Sequence, residues 1–152
     1  MEGFPHHYIV SAMAGAKGNV SLMSDDVPPL ETGPSPQFGG AKGKWSPEGL
    51  LMAAVADCFI LTFRAIARAS RLEWGALECT ASGTLERADG VTRFTTIAID
   101  ARLAVHDTET AKRAERLLHK AEENCLITNS LNAETKLRTT VDATGTAAAL
   151  AH

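Results

Sequence analysis

The apolar positions along the chain follow two different periods, and the changes between them predict where strands and helices lie. Strict alternation of apolar and polar residues is typical of a strand with one buried face. The predicted strands cover residues 6–13, 18–23, 77–85, 97–105 and 135–141. Proline and glycine are frequent over 25–44, so we expect irregular chain there and allow one short strand near Gln37.

The longest helix is predicted over residues 46–70, where its start is well marked. Ser46 is a suitable N-cap, Pro47 suits the first helical position, and Glu48 lies in the first turn, where the helix dipole favours an anion. From residue 50 to 63 the helix is apolar on all sides except for Asp57. A helix of this kind is buried all round, and in a small domain one helix is hard to surround without a second subunit.

A second helix is predicted over 108–123, with Asp107 or Thr108 as its cap and an apolar stripe along one face. The strands 77–85 and 97–105 form a hairpin across residues 87–90. The order of elements predicts an α+β fold with antiparallel sheet in a single domain, residues 1–152. The tail, 142–152, has weak patterning and is expected to fray.

Composition and charge argue against several classes of function. Hydrophobic residues make up 45% and charged residues 22%, which is typical of a globular protein, and the net charge of −3 with scattered basic residues disfavours a nucleic-acid partner. The first residues lack the pattern of a signal peptide. The apolar run 50–63 is shorter than the roughly 20 residues that cross a bilayer. We therefore expect a cytoplasmic protein without a membrane partner.

The chain has three cysteines, and their spacing is not that of a metal site. No histidine has ligand spacing either, so we expect neither a metal nor another cofactor. Cys79 shares the inward face of its strand and is interpreted as a small core residue. Cys58 lies too far from the helix start for the dipole to act on it, and its apolar neighbours disfavour a thiolate. Local sequence alone thus favours a core role for Cys58 as well.

Two motifs together change this interpretation. The segment "SPEGLLMAAVADCF", 46–59, keeps a Pro-Glu pair with Cys58 ten positions after Glu48, and "ENCLITNSL", 123–131, places Cys125 before an Asn-Ser-Leu ending. The chain therefore resembles the OsmC/Ohr family of osmotically inducible and organic hydroperoxide resistance proteins. The resemblance extends from about residue 8 to 141, and the pair of motifs is more specific than either alone.

The resemblance implies an OsmC-like fold, with antiparallel sheets wrapped around long central helices in an intertwined, obligate homodimer. It also implies a thiol peroxidase of stress defence. A Cys58 thiolate would attack the O–O bond of an organic hydroperoxide, and the sulfenic acid would condense with Cys125 to a disulfide that an external dithiol reduces.

Two further site residues follow from the resemblance. Family peroxidases hold the thiolate with an arginine that a glutamate supports. This chain has no arginine before Arg64, so Lys17 is expected in that role, with Lys42 and Lys44 as further candidates. Glu48 would be the glutamate. Ten helical residues span about 15 Å, so Glu48 would have to approach Cys58 of a second subunit.

Both residues also have ordinary explanations, Glu48 as a first-turn acid and Lys17 as a solvated turn residue. The missing arginine supports an alternative function. In this alternative the protein is a catalytically weak or non-enzymatic dimer that binds an apolar ligand at its interface, with Cys58 and Cys125 as packing residues.

Overall fold

The computed structural model describes residues 1–144. Two compact units are formed, Met1–Leu51 and a second that begins at Met52. Of the tail expected to fray, residues 145–152 lie outside the described residues, and Asp142 belongs to the last strand.

The first unit contains an antiparallel sheet of three short strands in the order β1-β2-β3. The strands are β1 (Ser11–Ala14), β2 (Val20–Met23) and β3 (Leu30–Thr32). The first strand is shorter than the predicted 6–13. Ser11 pairs with Met23, the last residue of β2, so residues 6–10 have no strand residue to pair with.

The strand considered near Gln37 is wrong. Residues Pro36–Phe38 form a short 3-10 helix instead. Pro36 has a fixed φ and no N–H to give to a ladder, whereas the Gly39 N–H donates to the Pro36 carbonyl at 3.0 Å. Gly39 has φ 80° and ends the turn in a left-handed conformation that suits glycine.

The long helix, α1, spans Pro47–Ala69 and confirms the predicted 46–70. The Ser46 hydroxyl accepts a hydrogen bond from the Gly49 N–H at 3.1 Å. Only one stripe of the helix is fully buried within this chain: Val55, Phe59, Phe63 and Ala67. Burial on all sides is therefore not achieved by the single chain, since Asp57 is exposed and Leu61 retains 50% of its accessible surface.

Helix α1 is longer than the apolar run 50–63, which was compared with the length needed to cross a bilayer. By length and composition it could cross a membrane, which corrects the argument from residues 50–63. This finding is weak by itself because the core helix of a soluble protein passes the same test. The buried stripe belongs to the core of the second unit.

The second unit contains a sheet in the order β4-β5-β6. Strands β4 (Leu77–Ala88) and β5 (Val91–Ala104) form the predicted hairpin. Its turn residues, Asp89 and Gly90, have φ values of 52° and 78°. Positive φ at both central positions matches the twist of the two strands, and the hairpin therefore continues without a longer loop.

Strand β6 (Glu134–Asp142) pairs with β5 in parallel. The expectation of a wholly antiparallel sheet is wrong for this pair. Between the strands the chain passes through α2 (Thr108–Glu123) and the short α3 (Leu126–Asn129). A helical crossover returns the chain to the same end of the sheet and so makes the strands parallel.

The core of this unit lies between one face of the sheet and the helices. Helix α2 begins as predicted, and its cap is Asp107, whose Oδ1 accepts from the Thr110 N–H at 2.7 Å. The fully buried side chains contributed by β5 and α2 include Ile97, Ala101, Leu103, Ala114, Leu118 and Ala121. The segment that carries Cys125 follows α2 directly, so packing of α2 sets the position of that thiol.

Candidate active site

Helix α1 positions Cys58 at the edge of its buried stripe. Cys58 follows Val55 by one turn and precedes the buried Phe59, and its side chain is half-buried. The Sγ atom lies 3.8 Å from the Thr62 Oγ1, one turn further along the helix. This thiol is held by a regular helix and retains access to solvent.

Cys125 is held by the turn between α2 and α3. Its N–H donates to the Glu122 carbonyl at 3.2 Å, and its carbonyl accepts from the Asn129 N–H at 3.0 Å. The Thr128 hydroxyl donates to the same carbonyl at 3.1 Å. Cys125 is fully buried, and the backbone around it is fixed by hydrogen bonds.

The structure brings Cys58 and Cys125 together within the second unit. Burial raises the pKa of the Cys125 thiol. Hydrogen bonds from Thr128 lower it, while a hydrogen bond with Cys58 and the charge of Cys58 raise it further. The net direction is upward, so the proton stays on Cys125. Two neighbouring thiols of which one is kept protonated can form a disulfide once the other is oxidised to a sulfenic acid.

Cys79 lies on β4 opposite Ala101 and packs against the core, as expected for a small apolar residue. Burial raises its pKa to about 11, and the charges of Cys125 and Asp100 add to the effect. Its thiol is therefore protonated near neutral pH. Sequence reasoning missed that Cys79 is close enough to Cys125 for their charges to interact, because residues 79 and 125 meet only through the packing of α2 and α3 on the sheet.

Glu48 lies in the first unit, in the first turn of α1, and lines a cavity of 640 Å³. The other lining residues are mostly apolar, among them Ala12, Val20, Leu22, Phe38, Pro47 and Leu50. The Glu48 Oε2 is shielded from solvent and has no hydrogen-bond partner among the described residues. The carboxylate thus has an unsatisfied oxygen in apolar surroundings, which is costly unless a donor meets it.

The three candidate lysines are all exposed loop residues of the first unit. The Lys44 Nζ donates to the Asn19 Oδ1. Within residues 1–144 none of the ion pairs involves Lys17, Lys42 or Lys44. The assignment of Glu48 and Lys17 to the site stays a prediction.

Over the same described residues no group of three or more histidine, cysteine or acidic side chains could hold a metal ion. The side chains that the second unit brings together are thiols, and the chemistry they support by themselves is thiol and disulfide chemistry.

Comparisons with known proteins show which family and fold the chain resembles. The family model described as OsmC-like protein matches residues 39–140. Peroxiredoxin OsmC of Escherichia coli (strain K12) is 29% identical over 121 residues, which cover 80% of this chain and 83% of that protein.

Solved structures are similar over nearly the whole chain. An OsmC-like protein from Vibrio cholerae has a TM-score of 0.80 at 20% identity, covering 90% of this chain and 100% of that one. An organic hydroperoxide resistance protein from Legionella pneumophila has a TM-score of 0.72 at 23% identity, covering 92% and 99%. These likenesses confirm the α+β fold class expected from the sequence.

Proposed function

Because the chain belongs to the OsmC-like protein family, we propose that it is a thiol-dependent peroxidase that reduces organic hydroperoxides. The observation that carries this proposal is that Cys58 and Cys125 lie in one unit, close enough for Cys58 to raise the pKa of the Cys125 thiol. The similar proteins named peroxiredoxin and organic hydroperoxide resistance protein support it.

Burial decides which thiol reacts first. Cys58 is half-buried, whereas Cys125 is fully buried and its pKa is raised. A peroxide arriving from solvent meets Cys58, and the neighbouring Cys125 thiol keeps its proton. We therefore propose Cys58 as the nucleophile and Cys125 as the thiol that resolves the sulfenic acid.

The cycle consists of a substitution at oxygen, a substitution at sulfur and a reduction. The Cys58 thiolate attacks the outer oxygen of ROOH, the O–O bond breaks, and the alkoxide takes a proton and leaves as the alcohol. The Cys58 sulfenic acid then reacts with Cys125, losing water and forming the disulfide. An external dithiol then supplies two electrons. Because Cys125 is buried, we propose that this dithiol attacks the Cys58 sulfur of the disulfide.

The apolar surroundings favour an organic hydroperoxide over a small polar peroxide. Cys58 follows Val55 and precedes Phe59 in the buried stripe, so an alkyl or aryl group beside the reacting sulfur is removed from water. Such burial contributes about 0.8 kcal/mol per methylene group. Hydrogen peroxide gains none of this.

We propose that the protein acts as a homodimer in the cytoplasm, where thiols stay reduced between turnovers. Support for the dimer comes from large apolar side chains that the chain leaves exposed on α1 and on its N-terminal segment. They include Phe4, Tyr8, Ile9, Val10, Met13 and Leu61. Clusters of exposed apolar residues mark contact surfaces more often than free ones.

Glu48 and Lys17 are the residues that family resemblance assigns to support of the thiolate. The unsatisfied Glu48 oxygen is compatible with a role in holding a cation. Lys17 makes no ion pair with any described residue. No ion pair within the first unit therefore fixes the position of its ammonium group.

A direct test follows the consumption of cumene hydroperoxide by the purified protein with dithiothreitol as reductant. We expect Cys58→Ser to remove all activity above background. Cys125→Ser, treated with peroxide in the absence of dithiothreitol, should react once and leave a sulfenic acid that dimedone traps. Cys79→Ser is the matched control and should turn over normally, because Cys79 is outside the proposed cycle. Equal rates for wild type and Cys58→Ser would disprove the peroxidase.

The alternative is a weak or non-enzymatic dimer that binds an apolar ligand at its interface. The apolar cavity of 640 Å³ in the first unit favours it, since that cavity contains a single carboxylate. Binding of a fluorescent fatty-acid analogue that survives Cys58→Ser, together with no peroxidase activity, would favour this reading.

A further inference from the structure

Helix α1 carries a hydroxyl group within its apolar run. Over residues 50–63 the side chains that contain oxygen are Asp57, which is exposed, and Thr62, which is half-buried. Phe59 and Phe63, on either side of Thr62, are fully buried. Removing a hydroxyl from water is costly unless the hydroxyl makes a hydrogen bond. Thr62 is therefore expected to have a partner within the folded chain.

The partner of Thr62 is the thiol of Cys58. The Thr62 Oγ1 lies 3.8 Å from the Cys58 Sγ, and among residues 1–144 the Thr62 hydroxyl makes no second hydrogen bond. Helical threonine commonly donates its hydroxyl to the carbonyl four residues before it, which here is the carbonyl of Cys58. In this helix the hydroxyl is paired with the side chain of Cys58 instead.

Helix geometry alone produces this contact. Cys58 and Thr62 are four positions apart, which places them about 40° apart around the axis and about 6 Å apart along it. Side chains on a helix lean towards its N-terminus, so the side chain of Thr62 leans towards Cys58. The contact lies within one turn of one chain and is present in each copy of the protein.

We propose that Thr62 is a catalytic residue that donates its hydroxyl hydrogen to the Cys58 thiolate and thereby raises the fraction of Cys58 that can react near neutral pH. The inference rests on the proposed function for the reaction with peroxide. The effect of the hydroxyl on the thiol itself is independent of that reaction and can be measured without it.

A hydroxyl can pair with both protonation states of the thiol. It accepts from the S–H group of the thiol and donates to the sulfur of the thiolate. Hydrogen bonds to charged groups are stronger than those between neutral groups, so Thr62 stabilises the thiolate more than the thiol. The Cys58 proton passes to solvent, to which the half-buried sulfur has access, and Thr62 keeps its own proton.

The titratable groups around Cys58 do not provide this stabilisation. Cys125 lies near Cys58 on another element, after α2, and it keeps its own proton. Asp57 precedes Cys58 on α1, and its negative charge disfavours a thiolate. In the described chain, 1–144, the oxygen that is hydrogen-bonded to the Cys58 sulfur belongs to Thr62. The hydroxyl of Thr62 therefore favours the reactive form of Cys58, whereas Asp57 opposes it.

The proposal is tested by the rate at which iodoacetamide alkylates Cys58 across pH in reduced, full-length protein. Trypsin leaves the three cysteines on separate peptides, since Arg71 lies between Cys58 and Cys79 and Lys120 lies between Cys79 and Cys125. Mass spectrometry of the digests therefore follows Cys58 by itself, with the other two thiols still in place.

Thr62→Val keeps the shape of the side chain and removes the hydroxyl. We expect the midpoint of the Cys58 rate profile to move upward by about 0.5–1 pH unit, which lowers the thiolate fraction near neutral pH about three- to tenfold. A more basic thiolate is more nucleophilic by about two- to threefold. The variant should therefore be about two- to threefold slower near neutral pH and about two- to threefold faster at alkaline pH. A disturbance that only exposes or covers the thiol would change the rate in one direction throughout.

Three further variants complete the test. Thr62→Ser keeps a hydroxyl and should follow wild type, and Thr140→Val, the same change on the exposed face of β6, should leave the Cys58 profile unchanged. Thr62→Ala should repeat the shift of Thr62→Val, so the test does not depend on the folding of one variant. An unmoved midpoint in either folded variant without the hydroxyl, or a Thr62→Ser profile shifted as far as that of Thr62→Val, would refute the proposal.

Single-turnover oxidation by cumene hydroperoxide connects the hydrogen bond to the proposed reaction. Near neutral pH, Cys58 in Thr62→Val should be oxidised about two- to threefold more slowly than in wild type, and Thr62→Ser should match wild type. An equal oxidation rate in wild type and Thr62→Val would contradict the catalytic role. Alkylation needs no peroxide, so crossing alkylation profiles in a protein that consumes no peroxide would confirm the effect of Thr62 on the thiol while disproving the peroxidase.

Discussion

The hydroxyl of Thr128 gives the sharpest test of the resolving step. It is buried and donates to the Cys125 carbonyl at 3.1 Å, and hydrogen bonds from Thr128 lower the pKa of the Cys125 thiol against the effect of burial. Thr128→Val keeps the shape and removes the hydroxyl. We expect the pKa of Cys125 to rise, and disulfide formation near neutral pH to slow.

The expected slowing of disulfide formation in Thr128→Val follows from two opposing effects on the Cys125 thiolate. A net hydrogen bond of about 1 kcal/mol corresponds to about 0.7 pH unit, which lowers the thiolate fraction about fivefold. A more basic thiolate is also more nucleophilic, which recovers about twofold. Disulfide formation should therefore slow by about two- to threefold near neutral pH. The difference should shrink as pH rises, because the thiolate fraction then saturates in both proteins.

The assay follows the two steps separately in single-turnover experiments. Loss of the Cys58 thiol reports oxidation, and the decay of dimedone-reactive sulfenic acid reports disulfide formation. Thr128→Ser keeps the hydroxyl and is the matched control. The reasoning fails if Thr128→Val slows the oxidation of Cys58 as much as disulfide formation, or if the slowing persists unchanged at alkaline pH.

Three further predictions concern the scaffold. A Cβ at Gly83 would lie 2.7 Å from two ring atoms of Phe94, so Gly83→Ala should lower the free energy of unfolding by about 1–3 kcal/mol in urea titrations. Leu118→Ala should cost about 2–5 kcal/mol because that side chain is fully buried, whereas the exposed Leu126→Ala should change stability by less than about 0.5 kcal/mol. The Thr110 hydrogen bond lowers the pKa of Asp107. The stabilising effect of ionised Asp107 is full above the pKa of this carboxyl in the unfolded state, and it is lost as pH falls through the pKa in the folded state. Asp107→Asn should therefore reduce the fall in melting temperature at acid pH.

Local sequence patterns were sufficient to predict the structure wherever a residue's role depends on its neighbours in sequence. The cap at Asp107, the start of α1 at Pro47 and the hairpin turn near Gly90 are contacts within a few residues. These interactions depend on backbone geometry and side-chain type alone. The predicted bounds of both long helices therefore agree with the structure closely.

Predictions failed where strand partners decide the outcome. Alternation over 135–141 shows a strand with two faces, but it carries no direction, and the crossover through α2 makes β6 parallel to β5. Alternation over 6–13 likewise overestimates β1, because β2 ends opposite Ser11. A hydrogen-bonded ladder needs both strands, and one strand's sequence does not state where the other ends.

For the site as well, some features were predictable from local sequence and others depend on tertiary packing. The motifs around Cys58 and Cys125 and the spacing from Glu48 are visible in the sequence, and they suggested thiol chemistry through family resemblance. That the two thiols meet, that Cys125 is the buried and protonated one, and that Cys79 lies near it depend on how α2 and α3 pack on the sheet. Burial and charge act through space, so the reactivity of each thiol was decided only when distant segments of the chain came together.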